Sequence, residues 1–209
     1  MRTDFNYWQK LMRELKIAED LTAFYELLIQ SYSNPSRAYH NLTHLGECLR
    51  QFDECVAVQT IASAPLIEAS LWFHDVVYDS TSAENEERSA DLAVGVLSSG
   101  GLQNDELMEI KRFILITKGH QPGDNPSSRW ITDIDLSILG QPPSRFNEYE
   151  AQIRAGYNWV SADLYREKRS EILQSFLARD SIFSTAHFRD RYETQARKNL
   201  EELNRRLTS

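Results

Sequence analysis

The sequence contains one histidine–aspartate pair, His74-Asp75, in the middle of an otherwise mostly apolar run, residues 71–78. The run predicts a buried helix, and burying an imidazole beside a carboxylate without partners costs free energy. A divalent cation would remove that cost, because neutral histidine and ionised aspartate both bind such ions well. The pair therefore predicts a metal site whose other ligands lie elsewhere in the chain.

Two more histidines and two more aspartates are candidates for those ligands. His40 and His44 are four residues apart near the start of a predicted helix, so they should share one face. Asp133 and Asp135 are two apart in an apolar stretch, a spacing that turns their side chains about 200° apart in a helix. We expect Asp135 to face inward, because the apolar residues that follow it would pack around it, and Asp133 to support it or cap the helix.

Two histidines and two aspartates from three helices can form an octahedral site in which water fills the open positions. This mixed set of nitrogen and oxygen ligands suits Mn, Fe, Co, Ni, Zn or Mg and does not distinguish among them. A cation there lowers the pKa of a water molecule, which makes the water a nucleophile. The remaining histidine could then protonate a leaving group.

The order His44, His74-Asp75, Asp135 on separate helices resembles the HD superfamily of metal-dependent phosphohydrolases. The segment at residues 39–44, Tyr-His-Asn-Leu-Thr-His, is also similar to the signature of cyclic-nucleotide phosphodiesterases. In that signature the second histidine binds metal and the first is the general acid. The resemblance implies that His44, His74, Asp75 and Asp135 bind the metal, and that His40 and Asp75 take part in catalysis.

The chain as a whole looks most like a family of small bacterial predicted HD phosphohydrolases, a family without a defined physiological substrate. We expect a nucleotide or another small phosphate ester as the substrate. The phosphodiesterases follow their His-Asp pair with Val-Asp-His-Pro-Gly, whereas Val-Val-Tyr-Asp stands here at residues 76–79. Hydrolysis of cyclic nucleotides is therefore not implied. Further residues could support the site, namely His120, Glu87, Asp79 and Asp133 beside the metal or at a second one, and Arg37, Lys118 and Arg169 at a phosphate.

Two other functions remain open at this point. Some HD-related proteins use a pair of iron ions to oxidise substrates, and the same ligands would permit an iron-dependent oxygenase. Alternatively, the domain could be a sensor that binds a metal or a nucleotide without catalysis. Turnover of phosphate esters would distinguish the hydrolase from the sensor, and anaerobic iron titration would reveal the oxygenase.

Length, charge and composition limit the class of protein. The chain has 209 residues and a net charge of −8, and so acidic a protein is not expected to present a nucleic-acid-binding surface. No apolar run approaches the roughly 20 residues of a membrane span, and the first residues lack the apolar region of a signal peptide. These features predict a cytoplasmic protein.

The two cysteines, Cys48 and Cys55, are seven residues apart in a helical pattern. Two helical turns separate them by about 10 Å, which is too far for a disulfide. We expect both to be reduced thiols in the core.

Helical periodicity dominates the sequence, with proline and glycine almost confined to the intervals between periodic segments. We predict an all-α fold, a compact bundle of about eight to ten helices forming one HD-type domain over residues 1–209. A stripe of Leu200, Leu203 and Leu207 on the last helix, expected to be exposed, is compatible with either a monomer or a homodimer. The predicted helices span about 5–15, 18–32, 39–58, 65–78, 84–98, 105–118, 129–139, 144–157, 162–177 and 188–207.

Overall fold

The computed structural model describes residues 2–208, and this part of the chain consists of helices and turns without a β-strand. The all-α prediction is confirmed. Within the described residues there are ten helices when the last three consecutive segments are counted as one, and one short 3-10 helix besides. The helices are α1 (Phe5–Glu14), α2 (Thr22–Tyr32), α3 (Leu42–Val58), α4 (Ala64–Phe73), α5 (Asn85–Ser99), α6 (Asn104–Ile116), α7 (Pro126–Asp135), a 3-10 helix (Leu136–Gly140), α8 (Pro143–Gly156), α9 (Ala162–Leu177), and the consecutive α10 (Ala186–Phe188), π-helical turn (Arg189–Glu193) and α11 (Thr194–Thr208).

The chain divides into two compact units, the first ending at Ile134 and the second beginning at Asp135. The division falls at the last residue of α7, just before the 3-10 helix. The expectation of one domain over the whole chain stays a prediction.

Helix α4 is the centre of the first unit. Its residues from Leu66 to Phe73 are all buried, and it packs against α1, α3, α5 and α6. Trp72 meets the ring of Trp8 edge-on, with centroids 5.5 Å apart. A helix that is buried on every side is surrounded by other elements, and α4 carries the His74-Asp75 pair at its end into the interior.

Helix α4 is shorter than predicted, because it ends at Phe73 rather than near Tyr78. His74 is its C-cap, and Asp75 lies in the turn that follows. The Arg37 guanidinium donates hydrogen bonds to the carbonyl oxygens of Asp75 (2.6 Å) and Val76 (2.7 Å). These bonds stabilise a turn at the point where periodicity alone predicted another helical turn.

Helix α3 begins at Leu42 and not at Tyr39, so the prediction that His40 and His44 share one helix is wrong. Asn41 is the N-cap, and its Oδ1 accepts hydrogen bonds from the backbone N–H groups of Thr43 (2.9 Å) and His44 (3.4 Å). Asparagine is a favoured N-cap because its side chain satisfies amides that have no helical partner. His40 therefore lies in the turn before the helix.

The segment before α5 also differs from the prediction. Thr81 and Glu84 have the spacing of a capping box, but the backbone N–H and the hydroxyl of Thr81 both donate to Asp79 Oδ1, at 2.9 and 2.7 Å. Helix α5 then begins at Asn85, without a side-chain cap from Glu84. An Asx turn at Asp79 competes for the donors that the predicted box would have used.

In the second unit, the predicted helix over residues 129–139 changes to a 3-10 helix after Asp135. Asn199 on α11 donates to the carbonyl oxygens of Leu139 (2.8 Å) and Gln141 (2.9 Å), which stabilises the end of that 3-10 segment. Helix α11 packs against α9. Leu200 and Leu203 are buried, so the prediction of an exposed leucine stripe on the last helix is wrong.

Candidate metal centre

His44 enters the site from the first turn of α3. Its side chain is 2% exposed, and the Asn41 cap fixes the backbone on which it stands. The imidazole contacts two further rings, those of Tyr39 and His74, with centroid distances of 4.8 and 5.2 Å. The start of α3 thus places one imidazole in the interior of the first unit.

His74 enters from the end of α4 with one ring nitrogen already engaged. Its Nδ1 lies 2.8 Å from the carbonyl oxygen of Leu71, an acceptor to which only a protonated Nδ1 can donate. In the neutral imidazole, Nε2 then carries the lone pair. This is the tautomer that binds metals through Nε2, and a backbone carbonyl is a common partner for the other nitrogen.

Three potential ligand atoms converge within the first unit. The two Nε2 atoms of His44 and His74 are 3.0 Å apart. Asp75 Oδ2 lies 3.3 Å from His44 Nε2 and 3.1 Å from His74 Nε2. Metal–ligand bonds of about 2.1 Å place neighbouring ligands about 3.0 Å apart in an octahedron and about 3.4 Å apart in a tetrahedron. The three observed separations fall in that range.

The burial and the negative charge of Asp75 are also compatible with a bound cation. Its Oδ2 is buried and makes no hydrogen bond, and a buried polar atom without one usually has another partner. Burial would raise the pKa of Asp75, but the neighbouring His74, His40 and His44 side chains outweigh it and hold that pKa well below its usual range. The carboxylate is therefore an anion whose Oδ2 faces the two Nε2 atoms.

A second group of possible ligands within the first unit comprises His44, Cys48 and His74. Each of these residues offers one ligand atom, and these atoms all lie within 4.8 Å of one another. Asp135 is the last residue of α7, and the expectation that it, rather than Asp133, is a ligand stays a prediction. A possible metal-binding cluster is thus present, with Cys48 as an unpredicted member.

Two other residues that the sequence analysis did not single out also act at this site. Cys48 follows His44 by one helical turn, and this i, i+4 spacing was a usable signal. Tyr32 is fully buried, and its hydroxyl donates to the Trp72 carbonyl and accepts from the Asp75 backbone N–H, both at 3.2 Å. Nothing in the local sequence indicated that Tyr32 holds the turn carrying Asp75.

His40 lies close to this group although it is not on α3. Its ring centroid is 5.8 Å from that of His44 and 4.4 Å from that of Tyr78, and the residue is half-buried. Arg37 Nη1 donates to the carbonyl oxygens of both His40 (3.2 Å) and Asp75 (2.6 Å). The guanidinium thereby ties the backbone of His40 to the turn after α4.

This use of Arg37 changes its expected role. The side chain was a candidate for binding phosphate, but its guanidinium is buried and donates to three backbone carbonyls. Burial lowers the pKa of Arg37, while Tyr32, Asp75 and Tyr78 raise it in part. Arg37 therefore positions the loops of the site with three of its five N–H donors.

Lys118 and Glu87, expected at the phosphate and near the metal, instead contact each other. Lys118 Nζ lies 2.6 Å from Glu87 Oε1 at the surface. The neighbouring Glu86 is more buried, and burial together with the nearby Asp75 carboxylate raises its pKa. The two neighbouring glutamates of α5 therefore differ, because Glu87 pairs with Lys118 and Glu86 is the more buried carboxylate.

The remaining predicted residues are not in the group of possible ligands among the described residues. Asp79 is exposed and holds the turn before α5. His120 follows α6 in a left-handed conformation, with φ of 48°, and is half-buried. Asp133 is buried in α7, and Arg169 forms a buried ion pair with Glu150 in the second unit.

Comparison with known proteins places this chain in no family. No family model, no curated protein and no solved structure matches it. A search of the described helices found none with the length and apolarity needed to cross a membrane.

Proposed function

We propose that this protein is a metal-dependent phosphohydrolase of the HD type, acting on a nucleotide or another small phosphate ester. The proposal rests mainly on the convergence of His44 Nε2, His74 Nε2 and Asp75 Oδ2 within 3.3 Å of one another. The resemblance of these residues, with Asp135, to the HD pattern connects that geometry with phosphate chemistry.

The donor set suits a divalent cation held by His44, His74, Asp75 and Asp135. When bound, such a cation supplies the positive charge that lowers the pKa of a water molecule and offsets the charge of a phosphoryl group. The hydrogen bond from His74 Nδ1 to Leu71 keeps that imidazole in its ligand tautomer. Asp75 contributes a negative charge that burial would otherwise make costly.

His40 is the proton donor in this proposal. Water adds to phosphorus, the bond from phosphorus to the leaving oxygen breaks, and the His40 imidazolium gives its proton to that oxygen. Arg37 holds the His40 backbone close to that of Asp75 through the two carbonyls that it binds. Because Arg37, Lys118 and Arg169 all have protein partners, the phosphate would depend mainly on the cation for charge compensation.

The experiment combines metal analysis with a substrate screen. Purified protein is analysed by mass spectrometry before and after incubation with Mn, Fe, Co, Ni, Zn or Mg. Each metal form is assayed with p-nitrophenyl phosphate, bis-p-nitrophenyl phosphate and nucleoside mono-, di- and triphosphates. Asp75→Asn is the test variant, and Asp91→Asn on α5, an exposed partner of Lys111, is its matched control.

We expect the wild-type protein and Asp91→Asn to bind metal and release phosphate, and Asp75→Asn to lose both properties. Metal binding without turnover of any ester would instead support the sensor. A wild-type protein that binds none of the six metals would contradict the proposed metal centre itself.

A further inference from the structure

Cys48 lies beside both nitrogens of the His44 ring. Its sulfur is 3.8 Å from Nδ1 and 3.8 Å from Nε2. The residue is 2% exposed and forms no disulfide. Since His44 and Cys48 are four residues apart on α3, the helix holds their side chains on one face.

The sulfur is within reach of a cation that the two histidines would bind. It belongs to the group whose ligand atoms all lie within 4.8 Å of one another, together with His44 and His74. Bonds of about 2.1 Å to nitrogen and about 2.3 Å to sulfur place two ligand atoms about 3.1 to 3.6 Å apart at octahedral to tetrahedral angles. The observed separation of 3.8 Å is slightly longer than that range. A small movement of the side chain would bring the sulfur to bonding distance.

We propose that Cys48 is a thiolate ligand of the metal centre, so that the site selects a thiophilic divalent ion such as Zn²⁺, Fe²⁺ or Co²⁺ over Mg²⁺. Cysteine sulfur is a soft ligand that zinc and other transition metals accept, whereas Mg²⁺ requires oxygen ligands. The inference rests on the metal centre of the proposed function but not on the reaction that occurs there.

Cys55 provides a matched control. It is the other buried thiol, lies on the same helix, and does not belong to the group of possible ligands. The chain therefore permits a comparison of two buried cysteines of α3, of which only one adjoins the histidines.

The experiment uses Co²⁺ as a spectroscopic substitute for the metal. Chelator-treated full-length wild type, Cys48→Ser and Cys55→Ser are titrated with Co²⁺, and the near-ultraviolet band of thiolate-to-cobalt charge transfer is recorded with bound cobalt. We expect the band in the wild type and in Cys55→Ser, and its loss in Cys48→Ser, which still binds Co²⁺ through His44 and His74. Zn²⁺ affinity should fall by about 10- to 100-fold in Cys48→Ser.

Cobalt binding without the thiolate band, or a band that persists in Cys48→Ser, would contradict the proposal that Cys48 is a ligand. Neither result would contradict the metal centre of the proposed function. Failure of the wild type to bind Co²⁺ and Zn²⁺ would overturn this inference, and the proposed function would fall with it only if Mn, Fe, Ni and Mg also failed to bind.

A second measurement needs no variant and covers the case that Cys48→Ser does not fold. Wild-type protein is alkylated with and without Zn²⁺, and both cysteines are followed by mass spectrometry. A metal-bound thiolate is a weaker nucleophile, so Zn²⁺ should slow the labelling of Cys48 about tenfold or more and leave Cys55 unchanged. Equal effects at the two cysteines would contradict the proposal.

Discussion

At the scale of single residues, the site depends on which atom of each side chain is already engaged. His74 uses Nδ1 for the Leu71 carbonyl, which directs Nε2 toward His44 and Asp75. Arg37, a candidate for phosphate binding by type, donates to backbone carbonyls instead. Residue types therefore indicate which chemistry is possible, whereas the existing hydrogen bonds determine which donors and acceptors are still available for it.

One prediction at this scale concerns His40. If its imidazolium protonates the leaving oxygen, His40→Ala should lower kcat by about 10²- to 10⁴-fold for an alkyl phosphate ester. The loss should be much smaller for p-nitrophenyl phosphate, whose leaving group needs no proton. Metal content should stay at the wild-type level, and His187→Ala in the second unit serves as the control. Equal losses with both substrates would contradict the role of proton donor.

At the scale of elements, two helix termini build the site. Helix α3 begins just before His44, and α4 ends just before His74. The Asn41 cap defines the first terminus, while Tyr32 and Arg37 stabilise the turn after the second. The His74-Asp75 pair is thus placed in a turn, where the backbone carbonyl of Asp75 is available to Arg37.

The corresponding prediction is that Arg37→Met loosens the turn before α3, which carries His40, and the turn after α4, which carries Asp75. The variant removes charge-assisted hydrogen bonds to three buried carbonyls, so the free energy of unfolding should fall by about 2–4 kcal/mol in urea titrations. Metal affinity should fall as well, because Asp75 and His40 lose their common tether.

The control for Arg37→Met is Arg88→Met on the exposed face of α5, which should change stability by less than about 0.5 kcal/mol. Unchanged metal affinity in a destabilised Arg37→Met would show that the guanidinium stabilises the fold without organising the site.

At the scale of the whole molecule, each of the two units has its own buried polar anchor. In the first, Arg2 contacts Asp53 (2.7 Å) and Glu68 (2.6 Å). In the second, the Glu193 carboxylate accepts from the backbone N–H groups of Ile182 (3.0 Å) and Phe183 (3.1 Å). Such anchors attach irregular segments to helices, since each buried backbone amide must find an acceptor.

Glu193 gives a prediction of pH dependence. Burial would raise its pKa, but hydrogen bonds from Ile182, Phe183 and Ser181 and the charge of Arg197 outweigh it, so the folded-state pKa lies below the ordinary value of 4.5. A depressed pKa stabilises the fold above the unfolded-state pKa, and the stabilisation is lost as the pH falls through the folded-state value. Glu193→Gln should therefore lower the free energy of unfolding by about 1–2 kcal/mol at pH 7.

The difference between wild type and Glu193→Gln should shrink as urea titrations are repeated below about pH 4.5. Glu202→Gln, at an exposed pair with Arg205, is the control and should be nearly neutral at every pH. A difference that does not depend on pH would show that the ionised carboxylate is not what stabilises this segment.

The sequence by itself was sufficient to predict the all-α class and to identify His44, His74 and Asp75 as candidate metal ligands. Helical periodicity is local, and the ligand character of a side chain belongs to its type. The same local pattern could not locate the ends of α3 and α4, because Asn41 and Arg37 decide those ends through hydrogen bonds that periodicity does not record.

Only the tertiary structure decided which residues meet. It placed Cys48 among the possible ligands and buried Glu86 of α5 more deeply than Glu87. It also gave Lys118 and Arg169 carboxylate partners. The physical reason is that a charged side chain pairs with the oppositely charged group that lies nearest in space. The distance between two such groups depends on how helices far apart in the chain pack together.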